Sequence, residues 1–253
     1  ETIKNLNLIF SKSLIKNKLV IITELKESPL INIGLKLNAE IIEHKNFIGG
    51  RYSVLSEVGM FPAKLMNLDL MKFKNLNKLI KNKNFVSSLI DSVSSIYTLS
   101  QNGIKDSVIL NYDSRLNDLS LWQQRLVGES LGKKGKGLIP IVSTCPRDHH
   151  SLLQLYLDGP KDKFFTFFSS SIKSNKKIGP IINAQCEATK NIFRKKNIPY
   201  RSFIFKKNDE SELGFVFIFF ILETILLARL MNVNPYDQPA VEQVKTETKK
   251  FLR

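Results

Sequence analysis

The spacing of apolar residues changes character several times along the chain. Ile3, Leu6, Phe10 and Leu14 fall at three- and four-residue steps, which predicts an amphipathic helix ending near Asn17. The β-branched run Leu19 to Thr23 predicts a buried strand. Ser28-Pro29 reads as a helix start with proline at the first helical position, and the helix is expected to continue through residues 30–40. Gly49-Gly50 breaks that pattern ahead of an apolar stretch from Val54 to Leu65, and residues 66–100 read as helical with Lys and Asn on the surface. The second half alternates. Strands are predicted at 107–112, 138–143, 164–168 and 200–205. Helices are predicted at 119–131, at 148–157 with Asp148 as N-cap, at 179–196 behind Gly179-Pro180, and at 211–231. Asn234-Pro235 marks a turn, after which a polar helix runs to the end. Residues 169–177, rich in Lys, Ser and Asn, are the predicted flexible loop. No internal repeat or low-complexity linker interrupts this order. Strands alternating with helices predict an α/β fold with a mainly parallel sheet.

One segment imitates a membrane span. Leu213 to Leu222 is apolar apart from Gly214, and apolar residues resume from Ile225 to Leu230. Glu223, Thr224 and Arg229 interrupt it, and the unbroken part is about half of the ~20 residues a span needs. A buried core helix is therefore expected, with no membrane partner.

Composition adds limits. At 253 residues, 43% hydrophobic and 24% charged, the chain suits one large domain or two small ones. It is no disordered tail, collagen-like fibre or disulfide-stapled miniprotein. The formal net charge is +15, from 38 Lys and Arg against 23 Asp and Glu. Only eight of the basic residues are arginine, and the lysines are dispersed beside Asn and Ile, as in Lys16-Asn17-Lys18 and Lys81-Asn82-Lys83. Nucleic-acid binders cluster their basic residues and rely on Arg for paired contacts. The excess here reads as the codon bias of an AT-rich genome, so no nucleic-acid partner is expected. The positive field still favours an anionic substrate. The two cysteines, Cys145 and Cys186, have neither CxxC spacing nor histidines at metal-ligand spacing. They read as reduced thiols of a cytoplasmic protein, and no metal site is expected. No signal-peptide pattern opens the chain, and Glu1-Thr2-Ile3-Lys4 reads as the interior of something longer.

Four segments carry candidate chemistry, and each also has a plain structural reading. In Gly49-Gly50-Arg51-Tyr52-Ser53, the glycines let backbone approach a ligand and Arg51 can present a guanidinium to an anion. The alternative is a tight turn with a surface arginine. In Trp122 to Lys133, Glu129 falls at the end of an amphipathic helix beside a glycine-rich exit. A partly buried carboxylate there can act as a general base, or can be a solvated helix-end residue. A helix C-terminus is a poor place for a carboxylate, which favours a functional reason for it. Asp148-His149-His150-Ser151 puts two of the three histidines in the first turn of a predicted helix, where at most one can face a given site. In Asn234 to Lys245, Asp237 is a candidate cap for the last helix, with Pro239 in its first turn and Lys245 two turns in.

In this order the four segments resemble the phosphoglucose isomerase (glucose-6-phosphate isomerase) family. Gly49 to Ser53 is similar to one family signature. Asn234 to Lys245 is similar to the other, with Asp237, Gln238, Pro239, Val241, Glu242 and Lys245 in place. Gly128-Glu129-Ser130 with Gly132-Lys133 resembles the catalytic-glutamate segment, and His150-Ser151 with Gln154 and Gly159-Pro160 the histidine segment. The resemblance runs from about residue 1 to 250. It implies two sugar-isomerase (SIS) subdomains, each a parallel sheet flanked by helices. The first would be truncated at its N-terminal side and the second complete. The implied divisions are 1–100 for the rest of the first subdomain and connecting helices, 101–233 for the second, and 234–253 for a C-terminal helix carrying the catalytic lysine. The family's phosphate-binding loop would lie just ahead of Glu1. Ser11-Lys12-Ser13 lacks the threonines that would make it a substitute.

The implied reaction interconverts glucose 6-phosphate and fructose 6-phosphate through a cis-enediol. Glu129 would shuttle the proton, Arg51 would offset charge on the enediolate, and His150 and Lys245 would assist ring opening. Gly50, Arg51, Arg125 and Gln238 would contact the substrate, and His149 is left out. No cofactor or metal is implied. A histidine that reaches the neighbouring subunit's site implies an obligate homodimer. Three positions depart from the family pattern: Arg125 stands where a Gln is usual, Glu57 where a small residue is usual, and Ala240 where Gly is commoner. Arg125 either adds a phosphate contact or marks altered substrate contacts. Three other readings compete: dual specificity for glucose and mannose phosphates, a non-catalytic SIS module that binds sugar phosphate, and a basic nucleic-acid binder. The SIS module would not need Glu129, His150 and Lys245 together, and the nucleic-acid binder has no motif.

Overall fold

A computed structural model describes residues 19–171 and 178–251. The helix predicted to end near Asn17 lies outside these residues, as does most of the predicted loop 169–177. The chain divides into two compact units, Glu1–Leu70 and Met71–Arg253.

In the first unit, β1 (Val20–Thr23) pairs in parallel with β2 (Glu40–Glu43), with Val20 opposite Glu40. Helix α1 (Pro29–Lys36) connects them. It starts as predicted: the Ser28 hydroxyl accepts from the Ile31 amide at 3.3 Å and Pro29 opens the first turn. It stops at Lys36, short of residue 40, because Asn38 adopts a left-handed conformation (φ 50°) and the Ala39 amide closes onto the Gly34 carbonyl at 2.9 Å. The following residues form β2, a strand the apolar spacing does not reveal. A 3₁₀ turn (Gly50–Leu55) leads into α2 (Glu57–Leu65). Gly59 is dictated by close approach, since a Cβ there would sit 2.0 Å from the Val54 carbonyl oxygen. Glu57 opens α2 and accepts from His44 Nδ1, while His44 Nε2 faces the Ile48 carbonyl at 2.9 Å. That bond ties the loop after β2 to α2, and it holds the Glu57 carboxyl below its usual range.

The region read as one helical stretch, 66–100, is three helices: α3 (Leu70–Phe73), α4 (Leu76–Leu79) and α5 (Lys83–Gln101). Asparagines punctuate it. Asn82 Oδ1 accepts from the Asn84 and Phe85 amides at 3.0 and 3.2 Å and so caps α5.

The second unit carries a four-stranded parallel sheet in the order β4-β3-β5-β6. Its elements are β3 (Asp106–Asn111), α6 (Asn117–Leu131), β4 (Ile139–Thr144), α7 (Arg147–Asp158), β5 (Lys163–Ser170), α8 (Gly179–Lys195), β6 (Tyr200–Phe205), α9 (Glu210–Leu230) and α10 (Pro239–Phe251). This is the α/β fold with a parallel sheet flanked by helices that the alternation predicts. All eight residues of β5 are buried, as a central strand covered on both faces requires. Val108, Leu110, Phe165 and Phe167 form one face with Tyr156 of α7 and Cys186 and Phe193 of α8. On the other face Phe168 meets Phe220 of α9, and α9 packs through Phe219 on Phe85 of α5 and through Phe217 on Trp122 of α6.

Helix α9 is the apolar segment that imitates a span. By length and composition it could cross a membrane, yet half of its most apolar window is buried. Its polar interruption points inward: Glu223 is 2% exposed. The Glu223 carboxylate accepts from Arg201 Nη1, from Arg201 Nη2 at 3.1 Å and from the Ser92 hydroxyl at 2.6 Å. Arg201 Nε donates to Thr166 Oγ1 at 3.0 Å, and its guanidinium lies 5.3–5.5 Å from the ring centres of Phe164, Phe203 and Phe220. A paired charge aimed at the sheet marks a core helix.

Asp148 is not the N-cap of α7. The helix begins at Arg147 behind Pro146, and Asp148 reaches back so that Oδ2 accepts from the Thr144 amide at 2.8 Å. The Arg147 guanidinium on Oδ1, also at 2.8 Å, holds its carboxyl below the usual range.

Candidate active site

Helix α6 ends at Leu131, and Glu129 lies in its last turn. The loop that follows turns back through Gly137, where φ is +107° and a Cβ would lie 2.7 Å from the Leu131 carbonyl oxygen. This tight exit leaves the end of α6 facing the turn between α9 and α10. Between them is a cleft of about 310 Å³, lined among others by Gly128, Glu129, Gly132, Lys133, Asn234 and Gln238.

The Glu129 side chain is a quarter exposed. Its Oε1 accepts from Arg125 Nε at 2.7 Å, one helical turn back, and its Oε2 accepts from Gln238 Nε2 at 2.7 Å. Arg125, one of the three departures noted above, therefore lies on the candidate base itself. Gln238, far away in sequence, reaches the other oxygen. A carboxylate at a helix C-terminus faces the negative end of the dipole, and here a cation and an amide offset that field.

The turn is fixed by further contacts. Lys133 Nζ pairs with Asp237 Oδ1 at 3.0 Å and donates to the Asn234 carbonyl. Asn234 Nδ2 donates to Asp237 Oδ2 at 3.1 Å, and Lys136 Nζ donates to the Met231 carbonyl at 2.9 Å. Asp237, considered above as a cap for the last helix, lies two residues before Pro239 and is engaged by Lys133. The ammonium keeps its carboxyl below the usual range. Lys133 and Asn234 belong to the quoted motifs, but the sequence assigns them no role. Only the fold shows that they meet.

The structure thus joins Glu129, Arg125 and Gln238. His150 and Lys245 do not line this cleft. Lys245 is exposed on α10, with Nζ 2.6 Å from Glu242 Oε1. The two adjacent histidines differ. His150 is exposed on the first turns of α7. His149 is half-buried, its Nε2 2.6 Å from the Tyr112 hydroxyl, and burial keeps it below its ordinary range. Arg51 belongs to the other unit, where it is buried in the 3₁₀ turn with its guanidinium 5.4 Å from the Tyr52 ring centre. The Gly50 carbonyl opening that turn accepts from the Ser53 hydroxyl at 2.8 Å.

Among the described residues no group of three or more His, Cys, Asp or Glu could hold a metal ion. Cys145 and Cys186 are both buried and unbridged, and burial pushes their thiols up to about 12 and about 11.

The family model described as phosphoglucose isomerase matches residues 6–138. A relative from Methanococcus maripaludis, named as a probable glucose-6-phosphate isomerase, is 32% identical over 78% of this chain and 50% of its own length. The glucose-6-phosphate isomerase of Methanocaldococcus jannaschii is 30% identical over 91% of this chain and 62% of its own. The chain therefore spans half to about three-fifths of the length of these curated relatives. A crystal structure of a hypothetical protein from Thermus thermophilus superposes with a TM-score of 0.84 at 23% identity, covering 99% of this chain and 67% of the other. That likeness is one of fold.

Proposed function

The chain belongs to the phosphoglucose isomerase family, and from that premise we propose that its protein interconverts glucose 6-phosphate and fructose 6-phosphate, with Glu129 as the base. The observation that carries this reading is the Glu129 carboxylate in the cleft, held at both oxygens by Arg125 and Gln238. A proton next to a carbonyl is only weakly acidic, so its removal needs a fixed carboxylate and nearby positive charge. In the open-chain aldose, Glu129 takes the C2 proton, the C–H electron pair forms the C1–C2 double bond, and the displaced carbonyl pair takes a proton from solvent water onto O1. The product is a cis-enediol. Glu129 then returns its proton to C1 as the O2 hydroxyl gives its own back to solvent, which leaves the ketose. Arg51 offsets charge on the enediolate, and His150 and Lys245 assist ring opening and closing. These three roles rest on the resemblance of their motifs. His150 in its exposed position is assigned to a second subunit's site, so the working form is a homodimer of the cytoplasm.

The test uses protein expressed from the complete reading frame. Conversion of fructose 6-phosphate to glucose 6-phosphate is measured for the parent and for Glu129→Gln. Loss of a general base is expected to lower kcat at least ~10²-fold. A folded parent that converts neither sugar phosphate would overturn the reading.

A further inference from the structure

Lys133 follows the end of α6, and its side chain is only 9% exposed. Burying an ammonium is costly unless acceptors replace water. Here Asp237 and the Asn234 carbonyl do so, and both lie in the turn between α9 and α10. Asp237 is bound in addition to Asn234 Nδ2, and Asn234 Oδ1 accepts from the Tyr236 amide at 3.0 Å. One ammonium thus braces a closed turn at two points. The next residue is Gln238, whose amide meets Glu129 Oε2.

We propose that Lys133 is a positioning residue: its ammonium holds the Asn234–Gln238 turn against the end of α6 so that Gln238 aligns the Glu129 carboxylate. The proposal rests on the reading of Glu129 as the base. It assigns Lys133 no contact with the substrate. Its effect passes through the turn, and misplacing a reacting group by about an ångström is enough to slow a reaction up to ~10²-fold.

Lys133→Met replaces the unbranched stem and removes the ammonium with its charge, whereas Lys133→Arg keeps the charge. Hydrogen exchange of the Tyr236 amide, which donates to Asn234 Oδ1, reports the turn directly and needs no turnover. It is expected to quicken about 10-fold in Lys133→Met, with the urea midpoint of the whole protein little changed, and to stay near parental in Lys133→Arg. With fructose 6-phosphate, kcat is expected to fall about 10-fold in Lys133→Met at nearly constant KM, and Lys133→Arg to recover most of it. Added to Glu129→Gln, Lys133→Met is expected to cost nothing further, because it acts through the missing carboxylate. Unchanged exchange at the turn, or a loss that persists in full on the Glu129→Gln background, would overturn the proposal. A parent without turnover refutes the base, and the exchange measurement then decides the brace by itself.

Discussion

Replacing Arg201 with methionine strands the Glu223 carboxylate inside the protein. Glu223 is 2% exposed, and its charged partner in the structure is the Arg201 guanidinium, with the Ser92 hydroxyl as a further donor. Removing one partner of a buried pair costs roughly 3–5 kcal/mol, because the remaining ion has neither water nor counter-charge. Thr166 also loses the Nε donor that lies 3.0 Å away. Against a domain stability of about 5–15 kcal/mol, the variant is expected to lose about a fifth or more of its folding free energy. The companion variant Arg201→Met with Glu223→Leu removes both charges and keeps the space filled. It is expected to be more stable than Arg201→Met alone by about 2 kcal/mol or more, since the uncompensated charge has gone. Urea unfolding followed by far-UV circular dichroism reads both differences. Apolar burial dominates at this position, and the pair contributes little, if Arg201→Met costs under about 1 kcal/mol. The double variant proving the least stable of the three would refute the argument from stranded charge.

Glu57 supplies a dependence on pH. Its folded-state pKa lies below the unfolded value, so its bond to His44 adds stability that is present above about 4.5 and is lost as pH falls through the folded value. Urea midpoints of parent and Glu57→Gln should therefore differ at pH 6 and converge as pH falls below about 4.5; a constant gap would contradict this. Cys145 and Cys186 are expected to react with a disulfide reagent at pH 8 far more slowly in the native than in the urea-unfolded protein, since burial disfavours both thiolates. Equal rates in the two states would show that these thiols are accessible.

The sheet of the second unit is legible in the sequence for a physical reason. Parallel strands covered on both faces favour apolar residues on each, so β3 shows the run Val108 to Leu110 and β5 the pairs Phe164-Phe165 and Phe167-Phe168. β2 escapes the same test because Glu40-Ile-Ile-Glu43 offers only two apolar residues between acids. The break before it depends on Asn38 taking a left-handed conformation, a weaker signal than glycine. Asp148 shows propensity yielding to a longer reach: a good capping residue finds its amide partner at Thr144, outside the helix. At the site, Glu129 and Gln238 are each legible as motif residues. Their contact is not, because it depends on how two loops at the ends of α6 and α9 pack together.

That packing bears on what the carboxylate can do. Glu129 sits at the negative end of the α6 dipole, and local donors offset that field. Arg125 supplies one from the same helix, four residues back, and its position is secured by helix geometry alone. Gln238 supplies the other from the turn between α9 and α10, outside α6. The two supports therefore differ in kind. Arg125 follows α6 wherever it goes, whereas Gln238 is present only while the turn is docked. A substitution that loosens the turn leaves the Arg125 pair intact and removes the amide alone. The carboxylate then keeps its cation but loses its fixed direction. For proton transfer along one line, direction matters as much as charge. The half-buried Lys133 secures that direction, and the motif that contains it gives no sign of this contact.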